Sequence, residues 1–266
     1  MNEKELSIYI SQKKERRKKS LTVVFVILLI MLLGLWYLEI SFEDLFQSLP
    51  KFITFFFNKF FPVHFGIIPE IIPDLLQTLA FAVVATCLAT LVSLLLAFLM
   101  SRKIMDIRWL RISIRGFVSL LRNIPVVIWA SVLVYIFGIG SMVAVIALFI
   151  ALTGFLAKAF ADSIDDIPNQ TLEGLRACGA SDLQIIRHGI VPQFIPQLMN
   201  WSLYSFERGI RASSILGLVG AGGIGILIQT RISLFKYQEA MAIVIAVIVM
   251  VILVEMLTNT IRRRIS

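Results

Sequence analysis

The sequence predicts an all-α polytopic membrane protein, and three observations carry that prediction. Apolar runs long enough to cross a bilayer, which takes about 20 helical residues, recur along the chain. Hydrophobic residues make up 58% of the 266 and charged residues only 16%, well below the charged share of about 25% in soluble domains. Those charges gather between the runs. Lipid leaves only helices or closed barrels as spanning structures, and a barrel needs short alternating strands where this chain has continuous runs.

Residues 1–20 form a polar, basic tail, and Leu21–Ile40 is the first span. A cleaved signal peptide is the competing reading, but the run is too long for a typical signal core and no small-residue cleavage site follows it. A retained signal anchor is expected. Residues 41–74 form the largest external segment. Its aromatic run Phe52–Phe61, broken by Asn58 and Lys59 and ended by Pro62, suits an interfacial helix or an outer rim of packing between spans. Leu75–Met100 is the second span. The third runs from about Gly116 to Phe137 and contains Pro125, which membrane helices tolerate where neighbours re-satisfy the freed carbonyl. A Gly138–Gly140 turn leads to the fourth span at 141–161, and a polar segment, 162–196, follows. The fifth span covers 197–218, a Gly-rich external segment 219–236, and the sixth 237–261, before a short basic tail, 262–266. Residues 75–261 thus make up the core.

Charge orients this arrangement. Seven Lys and Arg residues, from Lys4 to Lys19, precede the first span, five follow the second (Arg102, Lys103, Arg108, Arg111, Arg115), and Arg262, Arg263 and Arg264 follow the last. Short loops rich in Lys and Arg face the cytoplasm, which puts both termini inside. The net charge of +8 is therefore mostly topology signal and carries no argument for nucleic acid. Cys87 and Cys178 lack disulfide or metal spacing, and His64 and His188 fall on opposite sides of the membrane. No metal site and no cofactor are expected in this chain.

The cytoplasmic segment 162–196 has its own internal order. Pro168 and Asn169 start a helix over 170–178, and Gly179 supplies the permissive backbone that ends it. Ser181 and Gln184 have capping-box spacing, so a second short helix runs to about His188, with Gly189 and Pro192 as its stop. Leu172, Leu175, Leu183 and Ile186 form one apolar side. Such a knob is either an ordinary loop or a short helix made for a partner's groove.

In Glu173, Gly179 and Pro192 the segment resembles the coupling loop of ABC-importer permeases, although Gly174, Leu175, Gly189 and Val191 depart from that pattern. The resemblance runs from about residue 75 to the end and is nearest to phosphonate-transport permeases. Leu121–Pro125 with Trp129, Phe206–Arg211 and the Gly-rich run Ile215–Gly225 carry it, and the last is shared with methionine and other importer permeases. It implies six transmembrane helices in the type I importer architecture, similar to methionine permeases, in a bacterial inner membrane. It implies a coupling site at Glu173, Gly179, Ser181 and Pro192 for ATP-binding subunits, an external substrate-binding protein, and a second permease subunit, identical or paralogous. The cargo implied is phosphonate or a related phosphorus oxyanion; phosphate, phosphite or a methionine-like solute stay open.

Other motifs weigh differently. Gly220–Gly225 spells a dinucleotide fingerprint, but that motif has meaning only between a strand and a helix, and here it follows a span. Gly217, Gly220, Gly222, Gly223 and Gly225 are expected to allow a helix break or close packing, or to form an external gate. Glu207, Arg208 and Arg211 lie within the fifth span, where charges face a cavity or bundle interior. Glu207 and Arg211 at i,i+4 can pair on one face; alternatively Arg208 or Arg211 offers its fork to a passing oxyanion. Arg122 either lines the same pathway or reaches back to the inner interface, and Lys158 reads as an interface anchor. No phosphate loop, nucleophile elbow or zinc-protease motif occurs, so a non-enzymatic transport subunit is expected. A secondary transporter would show intramembrane acidic sites and internal repeats; Glu207 is the single central carboxylate and no repeat is visible.

Overall fold

The computed structural model describes the backbone of residues 3–38 and 42–265; positions 39–40 of the first span and Ser266 lie outside the description, as do the side chains of 3–14, 17, 42, 44, 45 and 265. All elements among the described residues are helical. The chain divides into two units, Met1–Asn58 and Lys59–Ser266.

In the first unit, α1 (Glu3–Tyr37) is one 35-residue helix. The basic stretch expected as a tail is therefore helical from Glu3 onward and continuous with the span. None of its apolar window, Lys18–Tyr37, is buried by the protein, as befits a helix whose apolar surface is matched by lipid. Most of α2 (Phe42–Phe60) belongs to this unit as well. It is amphipathic, and the rings of Phe52 and Phe56 stack along it at 6.1 Å.

The second unit is organised on α3 (Ile68–Met100) and α6 (Ser141–Asp165), its most extensive helix pair. Ala82, Ala85, Ala89, Ser93 and Ala97 recur every three or four residues on α3, so they share a face; Ala144, Ala147, Gly154, Ala157 and Ala161, in steps of three, four or seven, share one on α6. Small residues let the backbones approach closely, which is how helices associate where lipid removes the hydrophobic drive. Ser93 Oγ donates to the Thr153 carbonyl at 3.1 Å across the pair. The helix α3 starts at Ile68, seven residues before the expected span, because Pro69 sits in its first turn, where a missing N–H costs nothing.

The third span is not one helix. The chain forms α4 (Arg108–Asn123) and α5 (Val126–Phe137), bent by 86°. Pro125 clashes with a helical conformation at the residue before it, and Ile124 is accordingly extended (φ −84°, ψ 121°). The neighbours do not restore a continuous helix; they pack the break. At Gly154 an added Cβ would lie 2.7 Å from the Arg122 backbone nitrogen, so the end of α4 rests directly on the backbone of α6.

After α6 come α7 (Asn169–Ala177), α8 (Asp182–Ile185) and α9 (Val191–Leu216), then α10 (Ile224–Ser233) and α11 (Tyr237–Ile265). The helix expected to stop at Gly189 and Pro192 does not stop. It runs from α8 through a π turn at Ile186–Ile190 directly into α9. Pro192 has no N–H to return to the preceding turn, and the chain absorbs this by widening: the Val191 N–H reaches the Ile186 carbonyl, five residues back. The helix pair from Asp182 to Ser233 bends by 42° at the glycine turn. Among the described residues four helices are long and apolar enough to cross a membrane, or up to six if each bent pair is one span. The basic residues 262–264, expected as a tail, lie inside α11.

Candidate functional site

Three sites follow from this frame: the α7–α8 knob, the break between α4 and α5, and the glycine turn after α9.

The knob is closed by its own backbone. Gly179 takes φ +78°, and the Gly179 and Ala180 N–H groups donate to the Arg176 and Leu175 carbonyls at 2.9 and 3.1 Å. These are the two bonds of a Schellman cap. Gln184 Oε1 accepts the Ser181 N–H at 2.8 Å, the return arm of the capping box. Gly189 has a different task from the expected stop. A Cβ there would meet Leu175 Cδ1 at 2.9 Å and Leu172 Cδ2 at 3.2 Å, so the glycine makes the floor on which α7 lies. The apolar side is Leu172, Leu175, Ile185 and Ile186; Leu183 does not join it and is 74% exposed. Glu173, Gly179 and Ser181 face outward, and Pro192 sits in the first turn of α9.

The knob is tied to the bundle through Asp165, which sequence reasoning missed. Its carboxylate accepts from Ser101 Oγ at 2.7 Å, from the Arg102 N–H at 2.8 Å, and from Arg115 Nη2 at 2.8 Å. The turn between α3 and α4 is thus clamped to the end of α6, four residues before α7. The Lys103 ammonium also donates to the Ile167 carbonyl. The basic run 102–115 reads in sequence as a topology signal, and only tertiary contact selects Asp165 as its partner.

At the break, a cavity of about 90 Å³ is lined by Arg122, Pro125, Val126, Phe155 and Arg208, among others. The Arg208 guanidinium lies over the Phe155 ring, 5.0 Å from its centroid, within cation–π range. Among the described residues no carboxylate pairs with Arg122, Arg208 or Arg211. Glu207 does not pair with Arg211. It is buried and turns to α11, where Arg262 Nη2 lies 2.7 Å from Oε1 and the Thr258 hydroxyl donates to the same oxygen. An i,i+4 surface pair is worth only about 0.2–0.5 kcal/mol. A buried carboxylate needs a close charge and further hydrogen bonds, and α11 supplies both. Lys158, expected as a membrane anchor, pairs with Asp162 one turn on.

The glycine turn is a packing device. A Cβ on Gly217 would lie 2.5 Å from the Gly225 Cα, so α9 and α10 cross backbone to backbone. Gly220, Gly222 and Gly223 take φ of +89°, +92° and +70°, which an L side chain rarely adopts. Thr78 Oγ1 accepts the Ile224 N–H at 2.9 Å and donates to the Asp74 carbonyl at 2.7 Å, pinning the turn to α3. Helices flank it on both sides, so the dinucleotide motif lacks its context.

The profile of the family described as "Binding-protein-dependent transport system inner membrane component" matches residues 89–266. The phosphite transport system permease protein PtxC of Stutzerimonas stutzeri is 34% identical over 149 residues, covering 56% of this chain and 54% of that protein. A protein of Escherichia coli (strain K12) named for a cryptic phosphonate transport system, the permease PhnE2, is 39% identical over 118 residues, covering 44% of this chain and 97% of that one. The chain thus spans about half the length of the first of these and nearly all of the second. Among solved structures, the inward-facing MetNI methionine ABC transporter superposes with a TM-score of 0.66 at 21% identity, covering 75% of this chain and 98% of the other. That likeness concerns the fold.

Proposed function

Because the chain belongs to the family of binding-protein-dependent transport system inner membrane components, we propose that it is the permease subunit of an ATP-driven importer for phosphonate or a related phosphorus oxyanion. The observation that carries the ATP-driven part is the exposed, doubly capped α7–α8 knob at the basic end of the bundle, on a chain without a phosphate-binding loop of its own. A short helix seated on the core by one apolar side and exposed on the other can enter a partner's groove. In this reading ATP-binding subunits dock on Glu173, Gly179, Ser181 and the outward Leu183, and Pro192 roots the knob in α9. Both termini are cytoplasmic, an external binding protein delivers the cargo, and a second permease chain, a copy or a paralogue, completes the pathway.

The cargo class rests on the phosphite and phosphonate relatives and on Arg122 and Arg208 in the cavity at the break. Guanidinium forks suit tetrahedral oxyanions. Phosphite is the second reading, favoured by the first of these relatives. The test is reconstitution in proteoliposomes with the ATP-binding subunit and binding protein of a phosphonate-type importer. Labelled phosphonate or phosphite should enter only with ATP at the knob side. Uptake driven by an ion gradient without ATP, or accumulation of an uncharged solute instead, would sink the reading.

A further inference from the structure

We propose that Tyr204 is a specificity-determining residue for the cargo: its ring, one turn from Arg208, takes the carbon-bound group of a phosphonate whose oxygens the Arg208 guanidinium holds. The inference rests on the cargo class above and decides between its members. The residues of α9 left exposed include Gln197, Tyr204, Arg208, Arg211 and Ile215, in steps of three, four or seven, so they share one face. A spanning helix does not turn two arginines toward hydrocarbon. This face therefore looks into water, on the side where a second permease chain completes the pathway. Among the described residues neither arginine pairs with a carboxylate, and Glu207 turns instead to Arg262 on α11.

Three rings fix the geometry. Phe155 on α6 lies 5.9 Å from Trp201 and 5.7 Å from Tyr204, and Trp201 meets Tyr204 edge to face at 6.1 Å, all within the range of attractive ring pairs. Trp201 Nε1 donates to Ser163 Oγ at 3.0 Å, which keys the triangle to α6. The Arg208 guanidinium lies over Phe155, 5.0 Å from the ring centroid, so Phe155 positions both the fork and the Tyr204 ring. Tyr204 is 39% exposed and is the ring left to meet a ligand. Tyr204 and Arg208 stand at i,i+4, about 5–6 Å apart at Cβ, a spacing that one substituted tetrahedral group can bridge. The fourth position on phosphorus is carbon in a phosphonate, hydrogen in phosphite and oxygen in phosphate. With the other oxygens on the fork, a carbon group buries against the ring and a hydrogen leaves it bare. A phosphate oxygen against the ring face is desolvated without a partner. Tyr204 thus favours phosphonate over both.

The test uses the full transporter with its ATPase, in detergent without added lipid, carrying Asn200→Cys, one turn from Tyr204, in a Cys87→Ser, Cys178→Ser background. Modification of that thiol by uncharged methyl methanethiosulfonate is timed with millimolar ethylphosphonate or phosphite present. Ethylphosphonate should protect at an about fivefold lower concentration than phosphite, the size of one aromatic contact. Tyr204→Ala should abolish that difference and Tyr204→Phe should keep it, while Arg208→Gln should weaken protection by both oxyanions alike. A role in packing alone would not move the ratio between the two ligands. Equal protection by the two, or a difference that survives Tyr204→Ala, would overturn the assignment. Protection by phosphatidylglycerol but not by ethylphosphonate would give this face to lipid headgroups and also overturn it. The thiol rates need no transport, so the two readings fail separately. ATP-driven import of ethylphosphonate with no protection rejects the Tyr204 site alone. ATP-driven import of an uncharged solute, with neither oxyanion imported or protecting, rejects the cargo class and the site with it.

Discussion

Arg262, near the end of α11, holds the buried carboxylate of Glu207 on α9, Nη2 to Oε1 at 2.7 Å. With Thr258 on the same oxygen, this contact locks the last helix of the chain to the helix that continues from the knob.

Breaking one side of that pair should cost more than removing both. Arg262→Ala leaves a buried carboxylate without its charge partner and should lower stability by about 2 kcal/mol, below the 3–5 kcal/mol of a fully buried pair because Arg262 is partly exposed. Adding Glu207→Gln should recover at least about 1 kcal/mol. A double-mutant cycle of thermal unfolding in detergent measures the coupling; additive losses would mean the pair contributes nothing.

Gly154→Ala should loosen the break between α4 and α5. The added Cβ would meet the Arg122 nitrogen at 2.7 Å and the Leu121 carbonyl carbon at 3.0 Å. Backbone cannot swing aside as a side-chain tip can, so overpacking of about 1–3 kcal/mol is expected. Melting of the purified protein several degrees lower, with faster amide exchange at 119–126, is the expected result.

Gly179 and Gly189 should respond differently to substitution. At Gly179, φ is +78°, and Gly179→Ala should cost about 1 kcal/mol through strain alone. At Gly189 the obstruction is the end of the Leu175 side chain, which can move, so Gly189→Ala should cost less than half as much. Proteolysis across 177–190 compares them; equal protection in the two variants would contradict the assignment.

Asp165→Ala should uncouple the knob without unfolding the bundle. It strands Arg115, Ser101 Oγ and the Arg102 N–H together, while Asp165→Asn keeps an acceptor for part of the set. Loss of binding-protein-stimulated ATP hydrolysis in the alanine variant, with partial recovery in the asparagine variant, is the outcome expected, beside a loss of stability of about 2 kcal/mol in the alanine variant. The ion pair is about four-fifths buried on the Asp165 side, so added salt should weaken it only slightly.

What could be read from the residues was whatever depends on local pattern. The apolar runs, the clusters of Lys and Arg, Gly179 as a helix end and the Ser181–Gln184 cap each declare themselves within a few positions, because span length, loop charge and capping act at short range. Where a residue's role depends on what packs against it, the sequence was ambiguous or misleading. Pro125 is compatible with a kinked span or a full break; the close approach of Gly154 to the end of α4 goes with the break. Glu207 has Arg211 one turn away in sequence, yet takes Arg262 from 55 residues further on, since only α11 can offer a fork and a hydroxyl to a buried carboxylate. Gly189 looks like a stop and is a floor for Leu172 and Leu175. The apolar spans and the caps were local information; the partners of Asp165 and Glu207 exist only once α3, α4, α6, α9 and α11 have closed on one another.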